Sequence, residues 1–100
     1  MPTYIMLSNL TDEGAKSLKS NPKRLQEVNQ EIEKYGAKVT AQYAVLGPYD
    51  FVSVVDCPDN ETIARVSVEL ASRGSIRLMT LAATPVANFI RTLKDNAKGR

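Results

Sequence analysis

The chain has 100 residues, of which 43% are hydrophobic, enough for one domain spanning residues 1–100 around one core without help from disulfides or metals. Its 13 basic side chains are scattered among 11 acidic ones, and a net charge of +2 spread in this way excludes a dedicated nucleic-acid surface. The absence of histidine and the single cysteine, Cys57, exclude an internal disulfide, a structural zinc site and Ser/His/Asp or Cys/His nucleophile machinery.

In chain order, Thr3 to Leu10 predicts a first strand, apolar at every position from Tyr4 to Leu7 and therefore central in its sheet. Thr11 is a helix N-cap, and Asp12 and Glu13 complement the positive end of the helix dipole. That helix runs to about Lys19. Asn21 as a new cap and Pro22 at the first helical position predict a restart, after which Leu25, Val28, Ile32 and Tyr35 form one apolar face up to Gly36. From Lys38 to Leu46 the residues alternate as in an edge strand. Gly47 and Pro48 read as a two-residue turn, setting Leu46 opposite Tyr49 and Val45 opposite Asp50, with a third strand from Tyr49 to Asp56. A loop follows Cys57. Ile63, Val66 and Leu70 then mark a helix that ends at Gly74, and Ser75 to Ala83 is a fourth strand. A last amphipathic helix carries Val86, Phe89, Ile90 and Leu93 and passes into a basic tail, Lys94 to Arg100, read as a solvated terminus. No segment approaches the roughly 18 apolar residues of a membrane span, so the expectation is a cytoplasmic protein with neither membrane nor nucleic acid as partner.

The order β-α-β-β-α-β with an added C-terminal helix is the α+β, ferredoxin-like arrangement with a four-stranded antiparallel sheet, strands one and three in the middle. Phasing the strands from the turn puts Ile5, Leu7, Ala41, Tyr43, Val52, Val54, Ile76 and Leu78 under the helices. The opposite, open face then receives Tyr4, Met6, Ser8, Gln42, Phe51, Ser53, Val55, Arg77, Met79 and Leu81. Such a face is too apolar to be left in water, and a second copy packed sheet to sheet, as in a dimeric α/β barrel, is the simplest cover.

Gly47, Tyr49 and Asp50, between a strand ending at Leu46 and the run Phe51 to Asp59, resemble the motif of the GYD domain family of small bacterial and archaeal proteins. Further matching stretches are Tyr4 to Leu7, Leu10 to Gly14, Asn21 to Arg24 and Gly74 to Ala82, so the similarity covers nearly the whole chain. Pro48, between the glycine and the tyrosine, departs from the family pattern and fits the turn. The resemblance implies a ferredoxin-like fold related to dimeric α/β-barrel proteins and little about activity.

The leading expectation is a homo-oligomeric module that binds a small anionic or amphipathic molecule between subunits on the open face, held by Tyr4, Ser8, Tyr49, Ser53 and Arg77, with no cofactor and no metal. Arg77 is the anion anchor in this reading, at the opposite end of the sheet from Asp50. One alternative is a cofactor-independent enzyme of the dimeric α/β-barrel type, an isomerase or a monooxygenase, in which Tyr49, Tyr4 or Asp50 moves a proton. Another is an assembly protein with a dry interface. Arg24 reads either as a ligand clamp or as a partner of Glu27. Cys57 reads as an inert thiol, and Met6 and Met79 as packing residues.

Overall fold

A computed structural model describes residues 1–98, with side-chain surroundings through Asp95. Of the solvated tail expected from the sequence, Lys94 to Lys98 continue the last helix, and residues 99–100 lie outside the described residues. The elements are β1 (Thr3–Leu10), α1 (Asp12–Ser20), α2 (Arg24–Glu33), β2 (Lys38–Ala44), β3 (Phe51–Asp56), α3 (Asn60–Ser72), β4 (Ile76–Ala83) and α4 (Val86–Lys98). The sheet is antiparallel throughout with the order β2-β3-β1-β4, which is the ferredoxin-like topology. β1 and β3 occupy the centre, as their two-sided apolar character requires.

Local chemistry explains most boundaries. The Thr11 hydroxyl accepts from the Gly14 amide and the Asp59 carboxylate from the Thr62 amide, each satisfying a donor that the first turn leaves free. Asn21 differs from its expected role: its N–H caps the end of α1 on Ser17 O, and its own carbonyl receives Arg24 N–H in a tight turn, so α2 starts two residues after Pro22. The hairpin keeps its expected register, with Ala44 opposite Phe51. Its ladder stops there, however, leaving a wide loop with Gly47 at φ +125° and Leu46 fully exposed at the tip. A bulge at Thr40 shifts the register once, so that Val39 pairs with Val55 and Ala41 with Val54.

Strand phase is where the fold departs from expectation. Tyr4, Met6, Ser8, Ser53 and Val55 point toward the helices. Tyr4, Met6 and Val55 join Ile32, Ala37, Cys57, Ile63, Val66 and Leu70 in the buried core. Pairing parity puts Ile5, Leu7, Ala41, Tyr43, Val52 and Val54 on the open face with Met79 and Leu81. Only β4 keeps its expected phase, with Ile76 and Leu78 packed inward. The expectation sent polar residues outward; here Tyr4 is satisfied inside by Asn60, and Ser8 and Ser53 face a cavity.

The helix layer is tied to the sheet at one corner. Thr11 N–H donates to Ser75 O at 3.0 Å, Thr11 Oγ1 donates to Gly74 O at 2.7 Å, and α1 passes so close that a Cβ on Gly14 would stand 1.9 Å from Ser75 O. No side chain fits there. Gly14→Ala is therefore expected to lower unfolding stability by about 2–3 kcal/mol despite its better helix propensity, as read from urea titration.

Candidate functional site

From that corner α1 diverges from the sheet, and the turn at Asn21–Lys23 brings α2 back toward β2. Between them lies a cavity of about 520 Å³, floored by Met6, Ser8, Phe51, Ser53, Ile76 and Leu78 and roofed by Leu18, Leu25 and Val28. Although they face inward, Leu18, Leu25, Val28, Phe51, Ile76 and Leu78 remain half-buried, since the two layers do not close on one another. The size and the mostly apolar lining fit a small-molecule site.

Polar groups on one wall form a chain. Asn29 Nδ2 donates to Gln42 Oε1 at 2.9 Å, and Gln42 Nε2 donates to Ser53 Oγ at 3.0 Å. With its amide fixed at both ends, Gln42 presents only a donor to Ser53, whose own proton stays free to donate. Ser8, only 8% exposed, makes no side-chain hydrogen bond among the described residues and lines the same cavity. At the rim, Glu31 bridges two helices: it accepts from Arg24 at 2.9 Å and from Arg73 on the turn after α3. Arg24 also reaches Glu27 at 3.4 Å. These contacts, that to Arg73 first and that to Arg24 second, hold the Glu31 carboxyl below its ordinary range.

The residues expected to bind a ligand together are therefore divided. Ser8 and Ser53 share the cavity. Tyr4 is buried four positions before Ser8 along β1, where its hydroxyl donates to Asn60 Oδ1 at 2.6 Å and ties the start of α3 to the sheet; burial pushes the phenol pKa up. Tyr49 does reach the open side, with its hydroxyl 3.7 Å from Met79 Sδ. Arg77 lies opposite Asn9 and lines a shallow depression with Asp12, Glu13, Pro48 and Asp50. Asp50 and Arg77 thus sit at the same end of the sheet, contrary to the expectation. The reason is that β1 runs antiparallel to both neighbours, so its end meets the starts of β3 and β4 alike. The carboxylates of Asp12, Glu13 and Asp50 outnumber the single guanidinium there, and the rim field opposes an anion. Asp50 itself is engaged in structure: its Oδ2 accepts Leu10 N–H at 2.8 Å, its N–H donates to Ser8 O, and its carbonyl accepts Val45 N–H. Cys57 is fully enclosed and burial raises its thiol pKa, which leaves no thiolate poised to react.

A second surface lies on the far side of the sheet. Tyr43, Met79 and Leu81 are exposed there, and among the described residues α4 packs closely on no other element, with Val86, Phe89, Ile90 and Leu93 exposed along one stripe. Among those residues α4 therefore does not pack closely on the open face of its own sheet. Gln42 was expected beside Ser8 and Ser53 but on the opposite face, whereas Asn29, Glu31 and Arg73 were not singled out from the sequence. Spacing of three and four residues joins Arg24, Glu27 and Glu31 on one helical face, whereas Arg73 reaches Glu31 only through the tertiary fold. No helix among the described residues is long and apolar enough to cross a membrane, and no cluster of His, Cys, Asp and Glu suited to a metal occurs among them.

A four-stranded antiparallel sheet with crossover helices on one face and the other face uncovered defines a small ferredoxin-like α+β domain. The chain belongs to the GYD domain family, whose model matches residues 4–93. A protein of Thermus thermophilus named "Glutamine synthetase and cystathionine beta-lyase binding protein" is 60% identical over 95 residues, covering 94% of this chain and 100% of that protein. The crystal structure of another protein from Thermus thermophilus superposes with a TM-score of 0.56 at 26% identity, covering 85% of this chain and 95% of that one.

Two outcomes follow from the side-chain contacts. Asp50→Ala leaves the partly buried Leu10 N–H without its acceptor and should cost about 1–3 kcal/mol of stability in urea, while Asp50→Asn, which keeps an acceptor oxygen, should cost less. The depressed Glu31 pKa contributes stability that is present above the unfolded carboxyl value near about 4.3 and is lost as pH falls through the folded one. Glu31→Gln should therefore flatten the acid limb of a stability-versus-pH curve measured by thermal melts.

Proposed function

We propose that this chain is a homo-oligomeric binding module that associates with itself through the open sheet face and α4, and in that form docks on metabolic enzymes. The observation that carries the reading is the uncovered apolar surface. An isolated helix of about 12–15 residues is marginal in water, and α4, with 13, has no close packing partner among the described residues. Burying Val86, Phe89, Ile90 and Leu93 would stabilise it by roughly 1.5–3 kcal/mol for each side chain fully covered.

A two-fold arrangement lets the stripe of each α4 lie against the open face of the other copy, so that two exposed surfaces cover one another with the same contact made twice. The name of the Thermus relative supports a protein partner, and glutamine synthetase and cystathionine beta-lyase are the partner classes it indicates. Tyr49 lies at the edge of this face and belongs to the interface in this reading. Asp50 is already spent on the backbone of β1 and Arg77 lies among acids, so the geometry favours binding over the proton-transfer alternative.

Light scattering at tens of micromolar should give a dimer or larger species for the wild type and a monomer for Leu81→Glu and for Phe89→Glu. Pull-down with purified glutamine synthetase and cystathionine beta-lyase from the same source should retain the wild type and lose both variants. A monomeric wild type, or enzymes that bind all three proteins equally, would sink the proposal.

A further inference from the structure

The cavity lies on the side of the sheet away from the proposed interface, and protein docking on the open face gives it no role. Native interiors are packed at the density of organic crystals, and gaps larger than a water molecule are few. Here about 520 Å³ is left between the sheet and α1–α2, and the inward-facing Leu18, Leu25, Val28 and Phe51 keep part of their apolar surface uncovered. Leaving that surface wet costs about 25 cal/mol per Å², and an apolar body entering the cavity recovers this.

The floor adds a directional requirement. Ser8 and Ser53 are each only 8% exposed. Ser8 Oγ has no side-chain hydrogen-bond partner among the described residues, and Ser53 Oγ, already accepting from Gln42, has its proton to give. These two hydroxyls on the cavity floor have protons free to donate to an acceptor that enters. The two arginines that line the cavity, Arg24 and Arg73, are each paired with a carboxylate, both with Glu31 and Arg24 also with Glu27, so that two charges of each sign offset one another. A carboxylate carried to the floor would lose its hydration with no counter-charge in return, whereas a carbonyl or ether oxygen would lose little and gain two hydrogen bonds.

We propose that the cavity beneath α1 and α2 binds a small, uncharged, predominantly apolar molecule whose hydrogen-bond acceptor is held by Ser8 and Ser53. The floor thereby selects against anions. This site is independent of the protein-docking surface, because the alternation of side chains along β1 and β3 puts the two on opposite faces of one sheet.

The methionines report the two faces separately without any substitution. Met6 lines the cavity, and Met79 stands on the open face. In protein labelled with 13C at the methionine methyls and titrated with 2-octanone, the Met6 signal should shift and saturate at one molecule per chain while that of Met79 stays fixed. Ser8→Ala combined with Ser53→Ala should weaken this binding about tenfold, with the circular dichroism spectrum confirming that the fold persists. Octanoate at neutral pH should bind at least about tenfold more weakly than 2-octanone. A non-saturating Met6 response, a shift confined to Met79, unchanged affinity in the folded double variant, or tighter binding of octanoate would each overturn the proposal. A monomeric wild type in light scattering bears only on the docking surface, so the two readings fail by different measurements.

Discussion

The contact between Gly14 and the carbonyl of Ser75 decides how the helix layer sits on the sheet. With no room for a Cβ, the chain presses backbone against backbone there, and the two hydrogen bonds from Thr11 to Ser75 and Gly74 hold the corner. α1 leaves from this pivot. The chain next touches the sheet closely near the end of α2, where Ile32 and Ala37 enter the core beside Val55. A crossover fixed at its two ends and broken at Asn21–Lys23 spans the sheet without lying flat on it, and the cavity is the space that remains. The bridge of Glu31 to Arg24 and Arg73 closes the rim by joining α2 to the end of α3.

Topology, element order and hairpin register were legible because each rests on local signals: Thr11 as a cap, the spacing of Leu25, Val28 and Ile32, and the turn at Gly47. The phase of the central strands was not. β1 is apolar at Tyr4, Ile5, Met6 and Leu7 alike, so periodicity cannot choose a face; phasing from the turn at Gly47 and Pro48 sent Ser8 and Ser53 outward, where polar residues belong only if the interior is full. Here it is not full. Ser8 and Ser53 were rightly paired as neighbours on one face and placed on the wrong one, while Tyr4, whose hydroxyl finds Asn60, needed no solvent at all. Likewise Arg73 and Glu31 lie 42 positions apart and meet only through packing, which no spacing rule reveals.

The inverted phase leaves the case for a partner standing on different residues. Moving Tyr4, Met6 and Val55 inward brings Ile5, Leu7, Val52 and Val54 to the open side in their place, so the uncovered face is aliphatic in its centre and aromatic only toward Tyr43 and Tyr49. Such a face suits a packed interface better than a ligand pocket, because it carries few groups that must be paired in a desolvated site. α4 adds a stripe of the same character, supplied by the same chain and left unused by it. A surface and a helix that each lack close cover among the described residues are complementary in chemistry, which is the ground for the proposed association.

A single layer of strands therefore separates two chemically distinct surfaces, the cavity and the open face. Along β1, Met6 and Ser8 belong to the cavity and Ile5 and Leu7 to the open face; along β3, Ser53 and Val55 alternate with Val52 and Val54 in the same way. Because neighbouring residues point in opposite directions, a change of side chain on one face leaves the contacts of the other face in place, and only the backbone ladder is shared. Hydrogen-bonded ladders are stiff, and β1, paired on both sides, is the stiffest part of this one. The compliant part is the α1–α2 crossover, whose inner surface is half wet and whose far end is closed by ion pairs at a partly exposed rim. Adjustment to an occupant of the cavity would accordingly be absorbed by the helices, leaving the open face as a rigid platform whether or not the cavity is filled.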